Sequence, residues 1–206
     1  NTSNGYFDTL LRTVVKAEKD LSIKARNNVF LDAATLEAGK KGEITASTVL
    51  CKAKPLTSYS DVTTTSKRKI TTTKTTDIKQ EVSVIKAGEQ FFINASTGVL
   101  QQGSKNINVR INAPVIIQEA VKDEHHVETN TIRKKRGGVT GFVSSCFGGN
   151  SKKEIYHNSS SLISKGSENS GDSFIANAIK SFKAIGSRFT ARTEIRAGSE
   201  ISIQVS

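Results

Sequence analysis

IKAGEQFFINASTGVLQQGS, residues Ile85 to Ser104, decides how the chain reads. Within it apolar and polar side chains alternate over short sets, as at Phe91 and Ile93, and Gly, Asn and Ser separate the sets. That pattern marks short β-strands joined by tight corners. The opening of the stretch returns elsewhere in the chain. IKARNNVFLDAAT begins at Ile23 and IRAGSEISIQV at Ile195, at offsets of 62 and 110 residues from Ile85.

A second correspondence runs without gaps at an offset of 67, setting ITASTVLCKA from Ile44 against INAPVIIQEA from Ile111. Both copies continue through polar residues to a basic tetrapeptide: Ser66-Lys67-Arg68-Lys69 in the first, Arg133-Lys134-Lys135-Arg136 in the second. One supersecondary unit is therefore written twice, with the start of a third at the C-terminus. Short strands cannot bury an apolar face alone, but stacked about 4.8 Å apart they share one core. The expected fold is all-β and a solenoid, with the repeats at Ile23, Ile85 and Ile195 stacked on one side; a β-sandwich is the alternative. Val29, Leu31, Phe91, Ile93 and Ile201 are the expected core residues, Ile93 central among them. Gly88, Gly103 and Gly198 are expected at corners needing positive φ. Asn94, Asn106, Asn108 and Asn112 also suit corners, and ladders between levels.

The excursion before Ile85 has its own pattern. Thr63 to Thr76 holds eight Thr, and Ile70 and Ile78 share one parity with Thr72 and Thr76. This predicts a two-stranded ribbon turning at Ser66–Lys69 and projecting from the solenoid, with a second such hairpin around Arg133–Arg136. Lys67, Arg68, Lys69, Arg133, Lys134, Lys135 and Arg136 are the candidate contacts to an anionic surface. The competing role is to keep strand edges from pairing with other chains.

These residues resemble the filamentous haemagglutinin-type exoproteins of bacterial two-partner secretion, including those of contact-dependent growth inhibition. The resemblance rests on Ile85 to Ser104 and on two polar excursions, DVTTTSKRKITTTKTTDIKQEVSVIKAG (Asp61 to Gly88) and HHVETNTIRKKRGGVTGF (His125 to Phe142). It covers residues 20–145 and 190–206. It implies a right-handed parallel β-helix secreted through a dedicated outer-membrane two-partner-secretion transporter. On the bacterial outer surface such a segment serves as a filament, adhesin or toxin-carrying stalk, a virulence-type role directed at a receptor on a host or neighbouring cell.

The expected organisation is residues 1–136 as β-helix repeats with two projecting hairpins, 137–190 as a Gly/Ser-rich insertion, and 191–206 as the start of a further repeat. In the insertion Phe174, Ala178, Phe182, Ile185 and Phe189 recur at helical intervals with Lys180, Lys183 and Arg188 around them. The spacing predicts a short amphipathic helix at about 173–186, capped by Asp172 or Ser173. A basic-flanked apolar stripe suits an anionic membrane interface. The alternative function is therefore a membrane-active or toxin module in 137–190, touching membrane through 174–189.

Composition narrows the classes. The 206 residues suffice for one domain with a sizeable excursion. The longest apolar run is five residues, Ala113 to Ile117, far short of a spanning helix. With no Met, the chain reads as a processed or excised piece of a longer protein. Lys and Arg outnumber Asp and Glu 30 to 19, for a net charge of +11, which favours anionic partners. Trp is absent and aromatics are few, so no stacking platform for nucleic acid is expected.

Catalytic patterns are missing too. No phosphate loop, dinucleotide fingerprint or Gly-x-Ser-x-Gly elbow occurs, and no cofactor or enzymatic activity is expected. Glu124, His126 and Glu128 alternate and so share one side of a strand, where they suit either a metal or plain solvation. His157 sits in a polar stretch with no partner evident. Cys51 and Cys146, 95 residues apart, exclude a paired zinc finger; Cys51 falls in an apolar strand, where burial is usual.

Overall fold

The computed structural model describes residues 1–67, 69–134 and 152–204, with backbone only at 134 and 152. It is all-β, with no helix among the described residues. The strands run β1 (Thr2–Phe7), β2 (Val14–Ala17), β3 (Leu21–Lys24), β4 (Asn28–Asp32), β5 (Thr35–Ala38), β6 (Lys41–Lys52), β7 (Lys54–Ser66), β8 (Lys69–Glu81) and β9 (Val84–Gln102). They continue as β10 (Lys105–Glu119), β11 (Val121–Lys134), β12 (Lys152–Lys165), β13 (Glu168–Ser170), β14 (Ser173–Ile185), β15 (Arg188–Phe189), β16 (Arg192–Ala197) and β17 (Glu200–Gln204). The chain divides into two compact units. One is Asn1–Thr9, Leu56–Lys79 and Glu124–Leu162, and the other is Leu10–Pro55, Gln80–Asp123 and Ile163–Ser206.

The larger unit is a 12-stranded sheet whose pairs are all parallel. Its registers form ladders of equivalent residues across six levels. One ladder is Ile23, Ile44, Ile93, Ile111, Ala176 and Ile195. A second is Val15, Leu36, Ile85, Asn106, Asn169 and Phe189. A third is Val29, Val49, Val99, Ile116, Phe182 and Ile201. Members of the second ladder are 21, 49, 21, 63 and 20 residues apart. The levels thus recur about every 21 residues, and the two long steps contain the basic excursions.

Ile44, Phe91, Ile93, Ile111, Ile116, Phe174 and Phe182 are wholly buried, each such side chain contributing about 1.5–3 kcal/mol of burial. Leu31 is buried and Val29 partly so. Ile201 departs from the expected core set: it is half exposed, because β17 pairs with β14 and with no other described strand. The repeat alignment also needs correcting. Ile23 and Ile195 share a ladder, but Ile85 lies on the neighbouring one, level with Leu36.

The core also contains a closed ring of amides. Gln101, Asn106, Gln118 and Asn169 are wholly buried. Gln101 and Asn106 exchange hydrogen bonds of 3.0 Å. Asn106 donates to Asn169 at 2.8 Å, Gln118 to Gln101 at 2.8 Å, and Asn169 to Gln118 at 3.1 Å. Such a network is tolerable only when each member is satisfied. On the outer face Asn112 donates to Asn94 at 2.8 Å and Asn177 to Asn112 at 2.9 Å, a ladder through three levels. Asn108 instead takes positive φ at a corner, donating to the Ala87 carbonyl and accepting from the Asp172 N–H. Of the three corner glycines only Gly103 has positive φ, +59°. Gly88 and Gly198 are small because of backbone approach: a Cβ at either would lie 2.2 Å from the Gly39 or Ile179 carbonyl oxygen.

The expected helix at about 173–186 is strand β14. Phe174, Ala176 and Ala178 alternate inward, then Phe182 and Ala184. Between the two sets β14 holds one extra residue: Ala113 pairs with Ala178, whereas Val115 pairs with Ser181. That bulge stretches the three-residue step of β10, Ala113 to Ile116, to four residues in β14, Ala178 to Phe182, which imitates a helical period. Since Phe174 and Phe182 are interior, the stripe proposed for membrane contact through 174–189 is core. No helix is long and apolar enough to cross a membrane among the described residues.

The smaller unit is a single antiparallel sheet in the order β1, β7, β8, β11, β12. Among its described residues only Thr131 is buried. β-Branched Thr maintains the extended backbone, and hydroxyl pairs cross the strands at Thr63 and Thr72, 3.1 Å apart, and at Thr71 and Thr131, 3.4 Å apart.

Candidate functional site

Lys69 and Arg133, one from each basic tetrapeptide, meet at one end of the smaller sheet. β7 and β8 are neighbours joined through Lys67 and Arg68, and the Ser66 hydroxyl donates to the Lys69 carbonyl at 3.2 Å across that turn. β8 and β11 then pair antiparallel from Ile78 opposite Glu124 to Lys69 opposite Arg133. The expected separate ribbons are therefore joined in one sheet. Lys67, Lys69 and Arg133 are exposed, and no ion pair involves them among the described residues. Arg68, Lys135 and Arg136 lie outside the described residues, as does the side chain of Lys134.

Charge is graded along the sheet. Like charges directly opposed, as at Lys69 and Arg133, are unfavourable. Farther along, Lys74 stands opposite Glu128, and the His125 Nδ1 lies 2.5 Å from the Asp77 carboxylate. That end thus carries Lys67, Lys69 and Arg133 with no ion pair among the described residues, whereas Asp77 and Glu128 lie farther along the strands. A polyanion laid across that end would relieve the Lys69–Arg133 repulsion.

The other candidates disperse. Glu124, His126 and Glu128 share a face of β11, opposite Ile78, Thr76 and Lys74. Alternate residues on a strand are about 6.6–6.8 Å apart, and no cluster of three metal-ligating side chains forms among the described residues. His157 is exposed on β12. Cys51 is buried, and burial pushes its thiol up to about 12, with Gln101 as its hydrogen-bonding neighbour. Cys146 lies outside the described residues.

In the larger unit the ordered charges are an ion-pair ladder. Glu37 holds Lys16 at 3.0 Å and Lys86 at 3.2 Å from adjacent levels, and hydrogen bonding to Lys16 holds its carboxyl below the usual range. An open groove along the outer face, lined by Thr45, Asn94, Asn112, Asn177 and Ile179 over Ala46, Ala95 and Ala113, holds no titratable side chain and carries no chemistry.

Sequence reading placed the basic residues at equivalent turns but did not bring Lys69 against Arg133. The parity of Ile70 and Ile132, which oppose each other, was the signal that could have done so. No protein-family model, curated protein or solved structure matches this chain.

Proposed function

We propose that this chain is a non-enzymatic segment of a large secreted bacterial surface exoprotein of the filamentous haemagglutinin type. In this reading it is a right-handed parallel β-helix, a stalk for adhesion or for delivering a toxin to neighbouring cells. Export runs through an outer-membrane two-partner-secretion transporter, and the partner is a receptor on a host or neighbouring cell. The observation that carries the reading is the ladder of Ile23, Ile44, Ile93, Ile111, Ala176 and Ile195 in parallel register. A chain that returns to the same ladder about every 21 residues gains length by adding levels, each packing only on its neighbours. Crossovers between parallel strands of one sheet are right-handed in about 98% of cases, which supports the handedness. Such a fold supplies reach rather than a pocket, and the basic sheet end supplies a contact.

Heparin chromatography and binding to lipopolysaccharide vesicles test the contact. Replacing Lys67, Arg68, Lys69, Arg133, Lys134, Lys135 and Arg136 by Ser should abolish salt-sensitive retention and leave the melting curve nearly unchanged, since exposed charges act through a screened field. Retention that survives both the substitutions and high salt would reject the basic end as the binding site.

A further inference from the structure

β12 is the last strand of the antiparallel sheet. β11 flanks it on one side, and no described strand pairs with it on the other. Every side chain from Lys153 to Lys165 is exposed, among them Tyr156 at 64% and Leu162 and Ile163 at 62%. Natural edge strands protect themselves by being short or by carrying a proline, a bulge or a charge. β12 is fourteen residues long, and from Ile155 to Ser164 it has no Pro, Asp, Glu, Lys or Arg. The opposite edge, β1, is only six residues long. An edge of this length with no partner among the described residues presents backbone donors and acceptors that an added strand satisfies.

The sequence says which strand fits. Two identical strands paired antiparallel about a two-fold axis normal to the sheet oppose residues of equal parity. With Ser159 on that axis, Ile155 faces Ile163 of the second copy, Tyr156 faces Leu162, His157 faces Ser161 and Asn158 faces Ser160. Both faces of the new ladder then gain apolar cross-strand pairs at each end, at the separation where such pairs stabilise. A slip of two residues destroys the match, setting Ile155 against Ser161 or Lys165. The one repulsive pair, Lys153 against Lys165 of the second copy, lies at the ends and is screened by salt.

We infer that β12 is a dimerisation edge: two copies of this chain join β12 to β12, antiparallel about Ser159, and merge two five-stranded sheets into one of ten. The arrangement is isologous and closes on itself, whereas joining β12 to β1 of another copy would propagate without limit.

Sedimentation of the full chain with Cys146→Ser, which leaves the buried Cys51 as the only thiol, should show a monomer–dimer equilibrium that tightens as salt rises. Leu162→Glu, which sets a carboxylate against Tyr156 and near Glu154, should weaken the dimer at least about tenfold with circular dichroism and melting unchanged. In the same background, Ser159→Cys should form a disulfide-linked dimer on mild oxidation, and Lys153→Cys should not. Asn158→Cys and Ser160→Cys should link to each other when mixed faster than either links to itself. The cross-linking decides the matter even if Leu162→Glu fails to fold. A monomer at every concentration, a dimer indifferent to Leu162→Glu, equal linking at positions 153 and 159, or an open series of oligomers would each overturn the inference.

Discussion

A carboxylate at position 93 would have no neighbour to answer its charge. Ile93 is wholly buried between Ile44 and Ile111 on its ladder, so Ile93→Asp should cost about 3–5 kcal/mol in denaturant unfolding. Ile179→Asp, at a side chain 72% exposed, should cost almost nothing, and equal costs at the two positions would reject the core assignment. Cys51 gives a prediction in pH. Its thiol is raised from an ordinary 9.0 to about 12 by burial, so the folded state holds the proton more tightly than the unfolded chain does. Its contribution is therefore complete below pH 9 and is lost as pH climbs from 9 towards 12, with a slope of at most about 1.4 kcal/mol per pH unit. Under reducing conditions the stability of Cys51→Val should fall less steeply over that window than that of the parent; parallel curves would show that the thiol is accessible.

Pairing of β8 with β11 makes binding and stability separable. Lys69→Glu would replace a repulsive opposition to Arg133 by an attractive one, which should leave stability unchanged or raise it by less than about 1 kcal/mol. The same substitution should weaken retention on heparin. A variant that lost both together would mean that the strand end, not its charge, makes the contact. The Thr-rich hairpin was legible in the sequence because its parity and its basic turn are local signals. The levels of the parallel sheet were legible only in outline. An apolar residue, any residue and Ala occur twice in each of the early levels: Val15, Leu36 and Ile85 each precede Ile23, Ile44 and Ile93 by eight residues. Aligning IKA at Ile85 with IKA at Ile23 therefore matched a first occurrence to a second. The two excursions then hid the 21-residue step, and the bulge in β14 gave Ala178 and Phe182 a helical spacing. The one signal for the meeting of Lys69 and Arg133 was the matched position of Ile70 and Ile132 beside them, and it becomes readable only once β8 and β11 are known to pair.

Stability should be spread unevenly over the whole molecule. Among the described residues the larger unit contains every buried apolar side chain and the closed amide ring of Gln101, Asn106, Gln118 and Asn169. The smaller unit has one buried residue, Thr131, among those described. A sheet of one layer retains hydrogen bonds but gains little from the hydrophobic effect, and segments with few buried contacts open at low free energy. The amide ring adds to the contrast: Gln118→Leu would strand the Asn169 amide donor, at about 1–3 kcal/mol, while the Gln101 and Asn169 oxygens keep their bonds from Asn106, and that loss should fall on the larger unit. Amide hydrogen exchange should accordingly be slowest in β9 and β10, faster in β8 and β11, and fastest in β1 and β12. Gln118→Leu should accelerate β9 and β10 while leaving the rates in β8 unchanged. Protection in β8 equal to that in β9, or loss of both together in the variant, would show that the two units unfold as one.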